Sequence, residues 1–412
     1  MTSSAWPLTK FEEVAMPVKG AIVSGPFGSN IGSRFFVDEG VPVIRGNNLT
    51  FGQRRFVDDG FVYLTEEKAQ EFRNCEAIEG DLVFTAAGTI GQVGIIPPDT
   101  RFERYIISNK QLRVRCDKSK VSPLFLFLWF TTREMRQHII NKNSGSTIPL
   151  INLGILRGLP VPLPPLEVQE QIATNISAYD EMIENNRRRM ALLEESARLL
   201  YHDWFVRLRF PGHEHNRITD GVPEGWERTM LGDLCCEIRE SVSPDILEPD
   251  THYIGLEHMP RRSISLNDWG TVEQVTSSKH RFRAGEILFG KIRPYFHKVG
   301  VAFVDGVASS DAIVIRPVDE RLHGLVLMTV SSDEFVAVTS QAMKEGSKMP
   351  RAVWKQMQAY SVPLPSFGLL STFDSVIHPI IAQLKALTFS NQKLRAARDL
   401  LLPRLMSGEI TV

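Results

Sequence analysis

The two halves of this chain carry the same short motifs in the same order, and that repetition constrains the fold more than any other feature. Gly80-Asp81-Leu82-Val83-Phe84 returns as Gly285-Glu286-Ile287-Leu288-Phe289, 205 residues later. Gly145-Ser146-Thr147-Ile148-Pro149 returns as Gly346-Ser347-Lys348-Met349-Pro350, and Val161-Pro162-Leu163-Pro164 as Val362-Pro363-Leu364-Pro365, both 201 residues later. Near each start an aromatic residue leads a short apolar pattern, Trp6…Phe11…Val14 against Trp226…Leu231…Leu234, offset by 220. Any one match is explained by chance; four in order indicate two copies of one unit. The 412 residues, which by length alone suggest two or three domains, therefore read as one unit written twice.

Each copy has two parts. The first is a series of short apolar runs punctuated by Gly, Pro and Asn, such as Val41-Pro42-Val43-Ile44-Arg45-Gly46, which predicts strands and turns with a few helices. Ser122 followed by Pro123 and an apolar run predicts a capped helix over 124–140. The second part is helical. Ile172, Ile176, Tyr179, Ile183, Asn186, Met190, Leu193, Ala197, Leu200 and Trp204 follow a heptad spacing, and adding 201 gives Phe373, Ile377, Ile380, Leu384, Leu387, Asn391, Leu394, Arg398, Leu401 and Leu405. Pro379 is expected to kink the second helix or mark its start, and Pro403 to end it. The fold class predicted is α+β: two repeated α+β units separated by two long helices that form an antiparallel coiled coil. If that pairing is centred, Asn186 faces Asn391, and a paired amide inside an apolar seam fixes register. The alternative is that each Asn simply faces water at a flaw in its seam.

Catalytic signatures are missing from the sequence. It has no phosphate-binding loop, nucleophile elbow or His-Glu-x-x-His. Gly88-Thr89-Ile90-Gly91 does not have dinucleotide spacing and reads as a turn where backbone approaches something closely. Pro97-Pro98-Asp99 lacks the aromatic residue an adenine-methylating tetrad needs. Asp59…Glu66-Glu67-Lys68 only loosely resembles a metal-dependent nuclease pattern. No metal site is expected: Cys75, Cys116, Cys235 and Cys236 form no Cys-x-x-Cys pair, and His213 and His215 sit in a linker. A reducing cytoplasm is the simplest setting. No secretory signal is expected at the start of the chain, and the longest apolar run, residues 123–130, is far short of a membrane span.

Charge is informative only locally. With 47 basic and 48 acidic residues the chain is near neutral, which excludes a uniformly basic nucleic-acid binder. Residues 101–120 nevertheless hold seven basic and two acidic residues, and 279–298 hold six and one, so each window is net +5 and also rich in aromatics. Basic side chains on a shared face neutralise phosphates, and Arg, Asn and Gln on loops read base edges. The candidate readers are Arg45, Asn47, Asn48, Gln92, Asn109 and Lys110 in the first copy, with Ser146 and Thr147 of the repeated Gly-Ser motif. In the second copy they are Arg261, Arg262, Lys291, Arg293, Tyr295 and Arg351, with Lys348. Arg45-Gly46-Asn47-Asn48 has no evident twin. Similar scaffolds with unlike loops imply an asymmetric two-part DNA target.

Several stretches resemble the specificity subunit of type I restriction–modification enzymes. They are Ser24-Gly25-Pro26-Phe27-Gly28-Ser29, Ile44-Arg45-Gly46-Asn47-Asn48-Leu49, residues 80–85 with Gly88-Thr89-Ile90-Gly91, Ser144-Gly145-Ser146-Thr147, the helix start Leu163-Pro164-Pro165-Leu166-Glu167-Val168-Gln169-Glu170-Gln171-Ile172, and residues 402–410. The likeness covers essentially the whole chain, although Phe367-Gly368-Leu369-Leu370 replaces the helix start in the second copy. It implies target-recognition domains at 1–160 and 211–361, a first spacer helix at 161–210, and a second spacer helix and tail at 362–412. It further implies a non-catalytic subunit with no cofactor of its own. The partners implied are double-stranded DNA, two modification (methyltransferase) subunits that carry S-adenosylmethionine, and restriction (motor-nuclease) subunits that use ATP and Mg. Two rivals stand beside it: a self-contained DNA nuclease or methyltransferase, and a repeat scaffold that binds protein only.

Overall fold

The computed structural model of the chain describes residues 6–52, 54–219, 221–341 and 349–411. It divides into two compact units, Met1–Ile183 with Lys393–Val412, and Glu184–Gln392.

The first unit builds two four-stranded sheets. One runs in the order Ile22–Ser24, Gln111–Val114, Leu82–Thr85, Val93–Ile95, all antiparallel. The other runs Val62–Leu64, Val41–Ile44, Tyr105–Ile107, Glu76–Ala77, with Val41–Ile44 and Tyr105–Ile107 parallel. Successive side chains of a strand point to opposite faces, so the apolar run at Leu82–Thr85 serves two cores. Leu82 and Phe84 join Phe125, Phe127 and Phe130 in one, and Val83 joins Ile44, Tyr105 and Ile107 in the other. Phe11, Phe84 and Phe130 pack with ring centroids 4.8–5.8 Å apart, and burying each contributes about 1.5–3 kcal/mol.

The helix expected over 124–140 is two helices, Pro123–Thr131 and Arg133–Asn141. Ser122 caps the first. Thr132 adopts extended backbone, its hydroxyl accepts from Met135 N at 3.3 Å, and so it ends one helix and caps the next.

The second unit repeats this plan with one more short strand per sheet. Its first sheet runs Cys235–Ile238, Ala312–Pro317, Ile287–Gly290, Val299–Ala302, Ser265–Leu266; its second runs Ser241–Val242, Lys279–Phe282, Gly306–Ala308, His252–Ile254, Gly270–Thr271. The parallel pair recurs between His252–Ile254 and Gly306–Ala308. The repeated Val-Pro-Leu-Pro segments are strands that close each copy onto its start. Pro160–Pro162 pairs with Leu8–Lys10, and Ser361–Leu364 with Glu227–Met230, both antiparallel.

The long helices are Leu166–Tyr201 and Phe367–Ser407. Gln169 locks the start of the first: its amide donates to Pro164 O and Lys120 O and accepts from Ser122 N, and the side chain is fully buried. The pair is antiparallel. In the first unit Ile172 and Ile176 share a core with Leu402 and Leu405, and Asp180 pairs with Arg398 at 2.6 Å. In the second unit Trp204 and Phe205 pack on Phe373.

Contrary to expectation, the second helix runs unbroken through Pro379 and Pro403. Each proline removes one backbone bond, to the carbonyl of Ser375 or Asp399. Both of those residues and both prolines are exposed, so water can take up the freed carbonyls, and the buried seam of Phe373, Ile377, Ile380 and Leu384 holds the helix on its other side.

Candidate nucleic-acid interface

The predicted readers stand on a backbone framework that is the same in both units. Five hydrogen bonds have twins. Thr85 N donates to Gln92 O as Gly290 N does to Lys298 O, and Ala86 N to Lys110 O as Lys291 N to Asp311 O. Gly88 N donates to Pro149 O as Arg293 N does to Pro350 O, and Ile151 N to Ala86 O as Ala352 N to Lys291 O. Ser108 N donates to Ile44 O as Ser309 N does to Ile254 O. These bonds define equivalent positions directly, without reference to side-chain identity.

In the first unit the framework lines a cleft of about 410 Å³, with Arg45, Gly46, Gln92, Asn109, Lys110 and Thr89 among its walls. Asn109 and Lys110 are exposed and Arg45 half-buried. Arg45 Nε has no hydrogen-bond partner among the described residues. Gln92 is committed at both ends, its Oε1 to the Thr85 hydroxyl and its Nε2 to Leu49 O. Gly88 and Gly91 hold φ of 94° and 91°, which lets the turn between them fold back tightly. The Gly-Ser loop is pinned beside this turn by Gly88 N on Pro149 O and by Asn143 Oδ1, which accepts from Gly145 N and Leu150 N. Ser146 and Thr147 lie exposed on that loop, and neither lines the cleft. Asn47 is exposed and donates to Gly60 O at 3.2 Å.

Asn48 is not a reader. It is fully buried, its Oδ1 accepts from Arg45 N at 2.9 Å, and its Nδ2 donates to Val57 O and Asp59 O at 2.9 Å each. The amide builds the turn that carries Arg45 and has no donor left for a base.

In the second unit the predicted readers fall into two neighbouring groups. Arg261 lies 4.0 Å and Arg293 5.8 Å from the centre of the Phe296 ring, and Tyr295 stands exposed beside them. Lys291 donates to Ser310 O, burial pushes its ammonium pKa down, and Arg351 pairs with Asp311 at 3.2 Å. Arg262 is engaged by Asp333 at 2.9 Å. Lys348 lies outside the described residues, as do Gly346 and Ser347.

The first window of net +5 is not a basic face. Acids from other parts of the chain neutralise it: Asp58 reaches Arg101, Glu66 and Glu76 reach Arg104, and Asp81 accepts from Arg115 at 2.7 and 2.9 Å. Arg113 is buried, with Asp81 at 3.7 Å. In the second window Glu240 pairs with Arg281, and Lys279 is buried on Ser277. A window count misses these acids because strand pairing brings them from 28 to 43 residues away.

Sequence reasoning also missed the twin of Arg45-Gly46-Asn47-Asn48. It is Gly255-Leu256-Glu257-His258, in which His258 Nδ1 accepts from Gly255 N at 3.0 Å as Asn48 Oδ1 does from Arg45 N. Lys298 was missed as well; it occupies the position of Gln92 and also donates to this turn, to Leu256 O where Gln92 donates to Leu49 O, three positions further along. The helix seam places Asn186 Nδ2 3.0 Å from Asn391 Oδ1, with Asn391 buried. The described residues contain no cluster of His, Cys, Asp and Glu able to hold a metal.

The family model described as the type I restriction modification DNA specificity domain matches residues 35–195. The type I restriction enzyme MjaIX specificity subunit of Methanocaldococcus jannaschii is 22% identical over 394 residues, covering 90% of this chain and 87% of that one. The EcoDI specificity subunit of Escherichia coli is 22% identical over 325 residues, 69% of this chain and 70% of its own. The crystal structure of a type I restriction–modification S subunit from M. genitalium superposes with a TM-score of 0.59 at 14% identity, over 98% of this chain and 97% of that one.

Proposed function

Since this chain belongs to the type I restriction–modification specificity subunits, we propose that it reads a bipartite, asymmetric duplex DNA target, one half with each unit. The observation that carries this is the duplicated framework with exchanged side chains: the same hydrogen bonds hold Arg45, Asn109 and Lys110 forward in one unit and Arg293, Tyr295 and Arg351 in the other. Arg and Asn at a groove discriminate bases by paired hydrogen bonds, each worth about 1–3 kcal/mol, and nearby Lys adds phosphate affinity. Because ion pairs neutralise most of the first basic window, the free chain binds DNA weakly. Binding partners complete that affinity.

On this reading the chain performs no chemistry. It supplies register, through the antiparallel helices as a spacer, and presents target bases to two modification subunits, which hold S-adenosylmethionine and methylate adenine after flipping it from the stack. Restriction subunits add ATP- and Mg-dependent translocation and cleavage. The setting is the cytoplasm, where the four free thiols stay reduced. The test is to map methylated adenines in the genome of a cell expressing the chain with its modification partner. Two short, unlike half-sites at a fixed spacing are expected. Purified chain that cuts or methylates DNA alone overturns the reading in favour of an enzyme. Failure to bind any DNA at low salt, partners included, overturns it in favour of a protein-only scaffold.

A further inference from the structure

We propose that residues 293–297 of the second unit form a preorganised stacking probe that sets the Tyr295 ring into a base step of the half-site this unit reads. The inference rests on the DNA-reading function above and concerns how one half of the target is recognised.

Backbone conformation is the first observation. Four non-glycine residues among those described have positive φ: Leu208, Arg262, Arg293 and His297. Three of the four meet at this loop, since Arg262 N donates to His297 O at 2.9 Å. Side chains make the left-handed conformation costly, and such residues persist only where their surroundings over-determine them. The framework shows how unusual the choice is. The first unit has Gly88 and Gly91 where the second has Arg293 and His297, so glycine suffices for the turn and the second unit sets side chains there instead.

Bracing is the second observation. Arg293 N donates to Pro350 O at 2.8 Å on one side. On the other, the buried His297 ring donates Nε2–H to Ser331 O at 2.7 Å. Pro294 is buried within the short turn Pro294–Phe296. A loop fixed at both ends loses little entropy on binding.

The third observation is what the loop exposes. Tyr295 is 53% exposed and meets Phe296 edge-to-face at 5.0 Å. Arg261 and Arg293 lie 4.0 and 5.8 Å from the Phe296 ring. An aromatic ring held rigidly outward, beside a second ring that carries two guanidinium groups, matches the chemistry of a DNA base step between two phosphates. Aromatic stacking is indifferent to hydrogen-bond pattern, and a ring wedged into a step unstacks it and bends the duplex. The twin turn of the first unit carries no such ring: it is one residue shorter and holds only Thr89 and Ile90 between its glycines, and Ile90 is buried.

The experiment uses the full chain and a duplex that the same chain selects from random sequence, with 2-aminopurine placed at successive positions of each half-site. Wild-type chain should raise the fluorescence several-fold at one step of one half-site. Tyr295→Ala should abolish that rise and weaken binding by about tenfold, with an unchanged thermal melt because the ring is exposed. Tyr295→Phe should keep both the rise and the affinity. If Tyr295→Phe fails as Tyr295→Ala does, the phenol oxygen reads a base and the stacking probe is wrong. If Tyr295→Ala keeps the fluorescence rise, the inference fails while DNA reading stands. If the chain selects no duplex even at low salt with its partners present, the proposed function falls, and this inference with it.

Discussion

Where the first unit has Gly88 the second has Arg293, and the exchange goes on around the framework: Arg45 becomes Gly255, Gln92 becomes Lys298, Lys110 becomes Asp311, and Leu150, bridged to Ala87, becomes Arg351, bridged to Ile292. Cationic groups have changed places on a constant set of backbone bonds. The backbone fixes where a side chain can be offered, and the side chain decides what it can meet. A recognition unit built this way can change what it offers by substitution at these five positions without disturbing its core, because Leu82, Phe84 and Val114 in one unit and Ile287, Phe289 and Ile315 in the other stay wholly buried.

The strongest way to break this comparison is through the buried carboxylate that each unit repeats. Asp81 accepts from Ile78 N and holds Arg115, with Arg113 at 3.7 Å; Glu286 accepts from Arg283 N and holds Arg316. The frame is the same but the burial is not. Arg113 is nearly sealed, whereas the Arg316 side chain is 39% exposed. Removing Asp81 leaves a buried cation without its partner, so Asp81→Ala should cost about 3–5 kcal/mol. Glu286→Ala should cost only about 1–2 kcal/mol, since Arg316 turns to water. Urea unfolding followed by hydrogen exchange, resolved for each unit, measures both; equal losses would show that the two carboxylates do the same work.

A smaller effect tests the exchanged cations. Arg45→Ala should reduce affinity about 10- to 100-fold for the cognate first half-site and relax the base preference there, leaving the second half-site untouched. Arg293→Ala should do the converse. Competition binding against single-base variants of both half-sites reads the outcome. A uniform loss on every sequence would assign either residue to phosphate rather than to a base.

The helix pair carries the comparison inward. Segments in the first unit meet through the Asp180–Arg398 ion pair, and segments in the second through the Asn186–Asn391 amide pair. Asn186→Leu or Asn391→Leu alone should cost about 1–2 kcal/mol by stranding the other amide. The double variant should recover most of that loss. Additive effects in the double-mutant cycle would mean that each Asn acts alone.

Much of this was legible in the sequence. The repeat, the strand-rich bodies, the heptad seams and the facing asparagines all follow from periodicity, because side chains on one face of an element recur at fixed spacing. What stayed hidden depends on three-dimensional pairing. Asn48 looks like a reader because it is an Asn in a loop; only Val57 and Asp59, brought back by the following turn, show that its amide is used up. The first basic window looks free because its acids are distant in sequence. Gly255-Leu256-Glu257-His258 looks unrelated to its twin because an imidazole nitrogen can replace an amide oxygen as the acceptor, a substitution that no residue match detects.

The smallest expected effect is one of acid sensitivity, and it again separates the units. His280, His297 and His323 of the second unit titrate below the ordinary value of 6.5, each pushed down first by burial. The first unit has one such residue, His138, also lowered first by burial. For His297 the Ser331 carbonyl and Asp333 favour the proton, and Arg262 and Arg198 oppose it; burial outweighs both. A histidine with a depressed folded pKa binds its proton more readily when unfolded. The stability it contributes is therefore complete above about pH 6.5 and is lost as pH falls through the folded value. Acidification from about pH 7 to about pH 5 should lower the hydrogen-exchange protection factors of the second unit more than those of the first. Asp117 and Asp319, whose pKa values are lowered below 3.8 by hydrogen bonds from Ser119 and Arg321, stay ionised across that window and do not blur the contrast. Replacing His297 with Gly, the residue its twin position carries, should remove part of the difference between the units. An unchanged difference would assign the acid sensitivity to His280 and His323 instead.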